Sequence, residues 1–309
     1  MIRNTLLSQT VQILLRNGFS YQSFADSNSC FDLIARKQNI VLVLKVLSNI
    51  DSLRPEHARD LKKITGVFNA HSLIVGEKSK VFTLNPDVLY ERYDLPVLSL
   101  EGFEQLLASR LPTQRSFKGQ NVVELDVERL RQEREARDLT LKELSNQIGV
   151  SLESLHRYEH GSPAQLDVAE KLERVLHTRL IRGISVFTPP EKAPVEENPE
   201  VTNSVLDQLQ DLGLKLSVFE RAPLNAAATE HNLLISHAET KQNVRKKALS
   251  MEKTQTILKY PGLIITNESK RMNMGNIPVL HSDELSTFSS AEDMMNSLKN
   301  RRKTSKKSE

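Results

Sequence analysis

Apolar positions change their spacing several times along the first part of the chain. Around residues 6–15 they recur at helical spacing, which predicts an amphipathic helix. The later segment NIVLVLKVL is apolar and rich in β-branched residues, as expected of a strand that is buried on both faces. Further segments alternate between the two patterns, which predicts an α/β domain over residues 1–115. The predicted strands are 30–36, 39–47, 72–77 and 95–100, with a second helix at 55–70.

Between residues 124 and 183 the pattern changes to helix signals only. Two short amphipathic segments flank Gly149, a residue type that tolerates the left-handed turn that ends many helices. Thr140 and Glu143 form a potential capping box at the start of the first segment, and Ser151 precedes the second. The pattern therefore predicts an all-helical domain in which two helices meet at a tight turn.

The third block, residues 204–300, repeats the order of the first. Residues 31–46 align with 224–239 without a gap, so that Asn39 meets Asn232. Further segments match in the same order, which predicts a second α/β domain that diverged from the first after a duplication. Two unrelated α/β domains are the alternative.

The segments outside these blocks are rich in proline or in charge. Residues 184–203 include PPEKAPVEENPE and are predicted to form an extended, acidic linker. The basic end of the chain, residues 301–309, is predicted to be disordered. The chain therefore divides into three folded blocks, a linker and a tail.

Composition limits the classes of protein that fit. The chain has 309 residues, of which 39% are hydrophobic and 26% charged, and a formal net charge of +3. These values are typical of a globular protein of two or three domains. The single cysteine, Cys30, excludes an internal disulfide and a cysteine-based zinc site. Since no apolar run approaches the roughly 18 residues that span a bilayer, we expect a cytoplasmic protein without membrane contact.

The helical block carries the most specific motif of the chain, LTLKELSNQIGVSLESLHRYEHG. Residues 128–180 resemble the Cro/C1-type (Xre-like) helix-turn-helix domain, a module of five helices. The resemblance implies that double-stranded DNA is the partner and that the helix after Gly149 enters the major groove. The matching positions are Leu130, Arg134, Leu139, Thr140, Leu141, Glu143, Leu144, Ile148, Gly149, Val150, Ser151, Leu155, Arg157, Tyr158, Glu159 and Gly161.

The resemblance assigns base contacts to the outward face of that helix. Arg157 suits a guanine, Glu153 suits the amino group of cytosine, and Leu152 suits a thymine methyl group. The candidates for contacts with the DNA backbone are Lys142, Ser151 and Ser154.

Simpler roles stay open for several of these residues. Arg157 could pair with Glu153, four residues earlier, as a surface ion pair. Tyr158 suits the core of the module together with Leu155, and Glu159 suits a contact with the following turn. These alternatives involve no DNA.

Two features argue against strong binding by one module alone. Residues 126–182 contain 10 Lys or Arg and 11 Asp or Glu, a net charge of −1, although neutralised phosphates supply most non-specific affinity. Leu141 also stands where relatives of the module often have a phosphate-contacting Gln. A second module at a half-site about 34 Å away would add affinity, so we expect a homodimer or an intrachain pseudo-dimer. Basic residues elsewhere could contribute phosphate contacts or form a solvated surface: Lys241, Arg245, Lys246, Lys247, Arg301, Arg302, Lys303, Lys306 and Lys307.

The order of elements in the first block is similar to the restriction-endonuclease-like or archaeal Holliday-junction-resolvase fold. That fold implies an Asp, and then an acidic residue two positions before a Lys, around Mg²⁺. Asp32 and Lys45 match this pattern, but Val43 occupies the middle position. The second copy has, by the ungapped alignment, Asn225, Ser236 and Ala238 at the three positions.

Neither copy therefore has a complete catalytic set, and we predict no catalytic residue, no metal site and no cofactor. Asp32 is interpreted as a turn or strand-edge residue and Lys45 as an exposed strand end. His231 and His237 flank a strand without an evident third ligand, and no nucleotide-binding glycine motif occurs.

The whole arrangement resembles an archaeal family of proposed helix-turn-helix transcriptional regulators. It implies a multidomain fold, with a central five-helix module at residues 124–183 between two related, nuclease-like α/β domains. We predict a sequence-specific DNA-binding regulator without enzymatic activity. The alternatives are a structure-selective, Mg²⁺-dependent DNA nuclease and a protein-interaction adaptor.

Overall fold

The computed structural model describes residues 3–117, 119–187, 204–268 and 274–305. Most of the predicted linker and the last four residues of the predicted tail lie outside these ranges. The chain forms two compact units, and each unit combines segments that are separated in the sequence. Unit 1 combines residues 1–13, 47–52 and 73–188, and unit 2 combines residues 14–46, 53–72 and 189–309.

The first block contains the α/β alternation that its sequence predicts. All four predicted strands and both helices are present, whereas β1 and β5 had no clear signal in the sequence. The elements are, in order, α1 (Arg3–Arg16), β1 (Ser20–Ser23), β2 (Leu33–Lys37), β3 (Ile40–Asn49), α2 (Pro55–Phe68), β4 (His71–Lys78), β5 (Val88–Arg92), β6 (Leu95–Ser99) and α3 (Leu100–Leu107).

Unit 2 contains the antiparallel ladder β1–β2–β3 of this block. The apolar strand β3 is buried from Val41 to Leu47, which confirms the prediction of a strand covered on both faces. Helix α2 begins with Pro55 in its first turn and ends at Asn69, which adopts a left-handed φ of 47°. In α1, by contrast, Leu15 is 49% exposed, so the apolar face of α1 is narrower than the sequence suggested.

Unit 1 contains the remaining strands of the first block, which lead into the helical block. Strand β6 pairs parallel with β4 and antiparallel with β5. Two further strands, β7 (Gln114–Phe117) and β8 (Gln120–Val123), follow α3, and β7 pairs parallel with β5. Strand β8 then pairs with β9 (Ala164–Gln165), which lies inside the helical block. The helical block is therefore joined to a sheet by main-chain hydrogen bonds.

The helical block has four helices around one apolar core. They are α4 (Val127–Glu135), α5 (Leu141–Ile148), α6 (Leu152–Tyr158) and α7 (Leu166–Leu176). The fifth helix of the prediction is not found within residues 124–183, all of which are described. Instead, the chain after α7 pairs with the segment that precedes α4, where Leu125 and Ile181 form an isolated β-bridge. The core includes Val123, Leu130, Leu144, Ile148, Leu155, Ala169, Leu172 and Leu176.

The third block lies in unit 2, and its described strands form a five-stranded sheet in which they lie side by side in chain order. Its apolar core is shared by the sheet and the flanking helices. Helix α10 continues through residues 301–305, which the sequence had assigned to the tail. The elements are α8 (Ser204–Asp211), β10 (Leu216–Val218), β11 (Ala226–Ala228), β12 (Leu233–Ala238), α9 (Lys241–Leu258), β13 (Gly262–Thr266), β14 (Val279–His281) and α10 (Ala291–Ser305).

The first and third blocks share more than the order of their elements. The carbonyl of Asp32 accepts a hydrogen bond from the amide of Phe24 at 2.8 Å, and the carbonyl of Asn225 accepts one from the amide of Phe219 at 2.8 Å. Both are followed by an antiparallel hairpin, β2–β3 in one block and β11–β12 in the other. These matched bonds identify Asn225 as the counterpart of Asp32.

The register of the two hairpins corrects the ungapped alignment. Leu33 faces Leu44, a separation of 44 − 33 = 11 residues, whereas Ala226 faces Ile235, a separation of 235 − 226 = 9 residues. The hairpin of the third block is therefore two residues shorter.

This difference shifts every position after the hairpin. The counterpart of Lys45 is Ser236 and not Ala238, which had been predicted, and the counterpart of Val43 is Leu234. The side chains agree, since Asp32 Oδ2 accepts from the amide of Val46 at 2.7 Å. In the other block Asn225 Oδ1 accepts from the amide of His237 at 3.1 Å.

Within unit 2, segments of the first and third blocks contact each other directly. The ring of Phe68 lies 6.2 Å from that of Phe219 and 5.8 Å from that of Tyr260. The guanidinium of Arg36 donates to the carbonyl of Ile257 at 3.1 Å, and the ammonium of Lys253 donates to the carbonyl of Ser23 at 3.0 Å. The polar bonds satisfy main-chain acceptors near the ends of both partners.

Replacement of Gly149 tests how strongly the turn between α5 and α6 depends on its backbone. Gly149 has φ 73°, and a Cβ added there meets no atom within 4 Å. We expect Gly149→Ala to destabilise the module by about 1 kcal/mol through backbone strain alone. Gly149→Asn should cost less, because Asn tolerates this region better. Hydrogen exchange of the amides in α4–α7 of the full chain measures both, and equal protection in Gly149→Ala and wild type would contradict the expectation.

Candidate nucleic-acid interface

The turn between α5 and α6 has a cap on each side. Thr140 Oγ1 accepts from the amide of Glu143, and the Glu143 carboxylate accepts from the amide of Thr140 at 2.8 Å, so the predicted capping box is present. The amide of Thr140, and then its hydroxyl group, donate to this carboxylate and lower the pKa of Glu143 below its ordinary value. Gly149 then closes α5 in the left-handed conformation, and Ser151 Oγ accepts from the amide of Ser154 at 3.1 Å to start α6.

Helix α6 presents the predicted base-contacting residues to solvent. Leu155 is fully buried in the core of the module, whereas Leu152 is 50% exposed and Glu153 and Arg157 are also exposed. Tyr158 packs against the core, as its spacing from Leu155 predicted. The structure therefore gathers the three predicted residues on the outer side of one short helix.

Arg157 does not form the ion pair with Glu153 that was the alternative to a base contact. Its Nη2 instead lies 3.4 Å from the hydroxyl oxygen of Ser154, a long and weak hydrogen bond. No ion pair links Arg157 to a carboxylate in the described parts of the chain. The guanidinium is therefore available for another acceptor.

The three residues that were predicted to contact the DNA backbone differ in whether their side chains are already bonded within the protein. Lys142 is exposed on α5, and its ammonium group forms no hydrogen bond or ion pair with the described residues. Ser151 uses its hydroxyl group to cap α6 and to donate to Ser154 Oγ at 2.9 Å. A phosphate contact by either serine would thus compete with a bond inside the turn. Leu141, at the position of the expected Gln, packs partly against the core.

Glu159 forms the main buried ion pair of the module, which the sequence did not indicate. Its carboxylate is 5% exposed and accepts from Arg134 Nε at 2.7 Å and Nη2 at 3.3 Å. Arg134 also donates to the carbonyl of Leu139 at 3.0 Å. The hydrogen bond to Glu159 raises the pKa of Arg134 above its ordinary value. The pair ties the C-terminal end of α6 to α4 and so fixes the direction of α6.

His156 in the last turn of α6 stacks on His160, which follows the helix. The rings of His156 and His160 have centroids 4.1 Å apart with an angle of 27° between their planes. Nδ1 of His160 also lies 2.7 Å from the carbonyl oxygen of His156. Both side chains are exposed, and their spacing of four residues is the signal by which the sequence could have predicted the contact.

The first block retains two members of the nuclease pattern in a buried position. Asp32 is fully buried and Lys45 is 7% exposed, with Lys45 Nζ 3.2 Å from Asp32 Oδ1 and 2.7 Å from the carbonyl oxygen of Ser29. The interpretation of Lys45 as an exposed strand end was therefore wrong, because Lys45 lies inside β3. Asp32 does precede β2 directly, as a turn residue would.

The residues around this pair do not fit a divalent metal ion. Mg²⁺ prefers six oxygen ligands with at least one or two carboxylates, but both oxygens of Asp32 already accept hydrogen bonds. Val43 is fully buried and apolar at the second acidic position. In the described residues, no three His, Cys, Asp or Glu side chains lie close enough to hold one metal ion.

Three titratable groups near the pair are shifted towards their uncharged forms. Burial raises the pKa of the Cys30 thiol and of the Asp60 carboxyl, and burial followed by the charge of Lys45 lowers the pKa of His57. Cys30 precedes β2 and is fully buried. These directions follow from the cost of placing charge in an apolar interior. The Cys30 thiol is therefore kept protonated and is not an activated nucleophile.

Comparison with known proteins gives a match for each of the first two blocks. Residues 3–112 match the model of the PD-(D/E)XK superfamily domain, and residues 130–181 match the helix-turn-helix model. Both matches agree with the resemblances found in the sequence. The helical match includes α5, the turn at Gly149 and α6.

Curated archaeal proteins match the chain over nearly its whole length. A protein of Archaeoglobus fulgidus is 31% identical over 95% of this chain and 97% of its own length, and one of Pyrococcus furiosus is 32% identical over 95% and 96%. A third, from Methanocaldococcus jannaschii, is 31% identical over 97% of both chains. The chain belongs to this family. Its members are named "Putative HTH-type transcriptional regulatory protein".

The family includes proteins from other archaea, such as Thermoplasma acidophilum, that match at similar identity. No solved structure shows a significant match to this chain. None of the described helices combines the length and the apolarity that a bilayer crossing requires.

Removal of the Glu159 charge tests whether the buried pair holds α6 in place. We expect Glu159→Gln to destabilise the module by about 3 kcal/mol, because Arg134 would keep a largely buried charge without its partner. Glu135→Gln is the matched control, since Glu135 also contacts Arg134, at 3.3 Å, but is 67% exposed. Hydrogen exchange of the α6 amides in the full chain should separate the two variants, and equal losses would show that burial of the pair is unimportant.

Proposed function

We propose that this protein is a sequence-specific DNA-binding transcriptional regulator in which α6 enters the major groove. The observation that carries the proposal is the exposed face of α6, where Leu152, Glu153 and Arg157 lie together and Arg157 has no ion-pair partner among the described residues. A helix of this size fits the groove, and a free guanidinium can donate two parallel bonds to guanine. The names of the relatives support the same function.

The distribution of charge supports DNA binding better than the total charge does. Several of the 11 acidic residues in the module are engaged in bonds inside it. Glu159 pairs with Arg134, Glu143 caps α5, and Glu133 lies 2.5 Å from Arg137. On the exposed side of α6, Glu153 is accompanied by Arg157 and by the stacked histidines. The local surface is therefore less acidic than the net charge of the module suggests.

We further propose that the first and third blocks form a pseudo-dimer within one chain. Their contacts within unit 2, between Phe68 and Phe219 and between Arg36 and Ile257, support this assembly. Each chain then contributes one helical module, and a second chain would supply the module for a second half-site. The double-stranded DNA partner would be bound by two chains.

We propose that the nuclease-like block has no cleavage activity. The support is chemical, since the block offers one carboxylate where the two-acid pattern requires two, and that carboxylate is bonded to Lys45 and to the amide of Val46. The match to the PD-(D/E)XK superfamily is the observation that keeps the nuclease alternative worth testing.

Removal of the Arg157 guanidinium should weaken binding to the preferred DNA sequence. We expect Arg157→Ala to cost about 1–3 kcal/mol on that sequence and much less on random DNA, because a base contact is lost. Fluorescence anisotropy with a selected site and a scrambled duplex measures both. Lys171→Ala is the control, since Lys171 on α7 is exposed, carries the same charge and pairs with Asp167 at 3.9 Å.

Three other results would revise the proposal in different ways. An equal loss on both duplexes would place Arg157 on a phosphate. No loss on either would favour the adaptor alternative. An equal loss in Lys171→Ala would attribute the effect to net charge.

A cleavage assay tests the nuclease alternative. We expect no Mg²⁺- or Mn²⁺-dependent cleavage of branched or linear duplex DNA by the full chain, because the second acidic ligand is missing. Asp32→Asn is the matched variant, since an Asn can still accept from the amide of Val46, as Asn225 does from His237. Metal-dependent cleavage that disappears in this variant would establish the enzyme instead.

A further inference from the structure

A polar cavity in unit 2 lies beside the third block's counterpart of the nuclease site. It has a volume of about 440 Å³ and is lined by Ser29, Asn225, His237, Asn243, Lys246 and Lys247, among others. Asn225 is the counterpart of Asp32, so the cavity adjoins the position where an active nuclease copy would hold its metal. Its volume lies within the range of about 300–1,000 Å³ of small-molecule sites.

The cavity has an excess of positive charge at its wall. Lys246 and Lys247 follow each other on α9, and the only carboxylate among the described lining residues is that of the exposed Glu239. Neither lysine forms an ion pair in the part of the chain that is described. The wall therefore offers two ammonium groups to whatever occupies the cavity.

Lys247 is the more informative of the two lysines. It is half-buried, and its ammonium group makes a long hydrogen bond, 3.5 Å from Nζ to the carbonyl oxygen of Pro223. Burial, followed by repulsion from Lys246, lowers the pKa of Lys247. A half-buried ammonium beside a like charge is unfavourable unless an anion compensates it.

The remaining lining groups favour a phosphoryl group over a carboxylate. The lining also includes the hydroxyl group of Ser29 and the amide groups of Asn225 and Asn243. A phosphate offers three or more acceptor oxygens to such donors. Two lysines act as point charges that match a dianion, whereas a planar carboxylate is matched best by the fork of an arginine.

We propose that this cavity binds a phosphate-bearing small molecule, held by Lys246 and Lys247. The inference does not depend on DNA binding by α6, since every lining residue belongs to unit 2. A free anion and the phosphates of DNA share this chemistry, and the cavity is assigned to the former because it has a volume of small-molecule size.

Calorimetric titration of the full chain with inorganic phosphate, at constant ionic strength, tests the site. We expect saturable binding that is weakened about 10-fold or more in Lys247→Met and in Lys246→Gln, because each loses a charged hydrogen bond. Lys241→Gln is the matched control, since Lys241 is exposed on the same helix but does not line the cavity. It should bind phosphate as the wild type does.

Thermal unfolding supplies a second measurement, which compares the variants first without and then with phosphate. Without phosphate, Lys247→Met should unfold at the same or a higher temperature than the wild type, because a poorly compensated charge is removed. With phosphate, only the wild type and Lys241→Gln should gain thermal stability. A marked loss of stability in Lys247→Met without phosphate would contradict the inference that the charge of Lys247 is poorly compensated within the protein.

Three outcomes would overturn the proposal. One is the absence of saturation by phosphate, and another is an equal weakening in Lys241→Gln, which would indicate non-specific attraction to a basic helix. The third is a site that a duplex of random sequence occupies but inorganic phosphate does not, which would make the cavity a contact for DNA backbone. Arg157→Ala should leave phosphate binding unchanged, so a failure of the cavity is distinguishable from a failure of the DNA-binding proposal.

Discussion

The left-handed turn at Gly149 sets the direction of α6 and so determines which side chains the helical block exposes on that helix. Helix α6 has only seven residues, and its one fully buried side chain, Leu155, contributes little apolar area on its own. The direction of α6 therefore depends on the chain reversal and on the pair of Arg134 and Glu159 at its other end. With both ends fixed, the outer residues of α6 are held by the scaffold and not by each other, which is the preorganisation that specific recognition requires.

The sequence predicted the helical turn well because its signals are local. Thr140, Gly149 and Ser151 act on bonds that span three or four residues, and spacing alone reveals such bonds. The contact of Arg134 with Glu159 spans 25 residues and depends on how α4 and α6 pack. No local pattern encodes it, so the sequence suggested only that Glu159 had a structural role.

In the α/β blocks, too, the sequence predicted local features but not those that depend on tertiary pairing. Buried strands such as β3 were predicted from their apolar runs, while β1, with a polar and half-exposed sequence, was not. The shared order of elements in the first and third blocks was detectable in the sequence. The two-residue difference between their hairpins was not, because too few residues match to locate a gap in the alignment. The strand pairings of Leu33 with Leu44 and of Ala226 with Ile235 reveal it, since main-chain pairing depends on position and not on side-chain identity.

The two blocks also show how a buried charge limits the order of evolutionary change. Asp32 and Lys45 neutralise each other in the interior of one block, and their counterparts, Asn225 and Ser236, are both uncharged. A chain that changed only one member of the pair would carry a lone charge in an apolar interior, at a cost of several kcal/mol. Passage between the two states is therefore favoured when both positions change together, so the buried pair can persist in one block for reasons of stability alone.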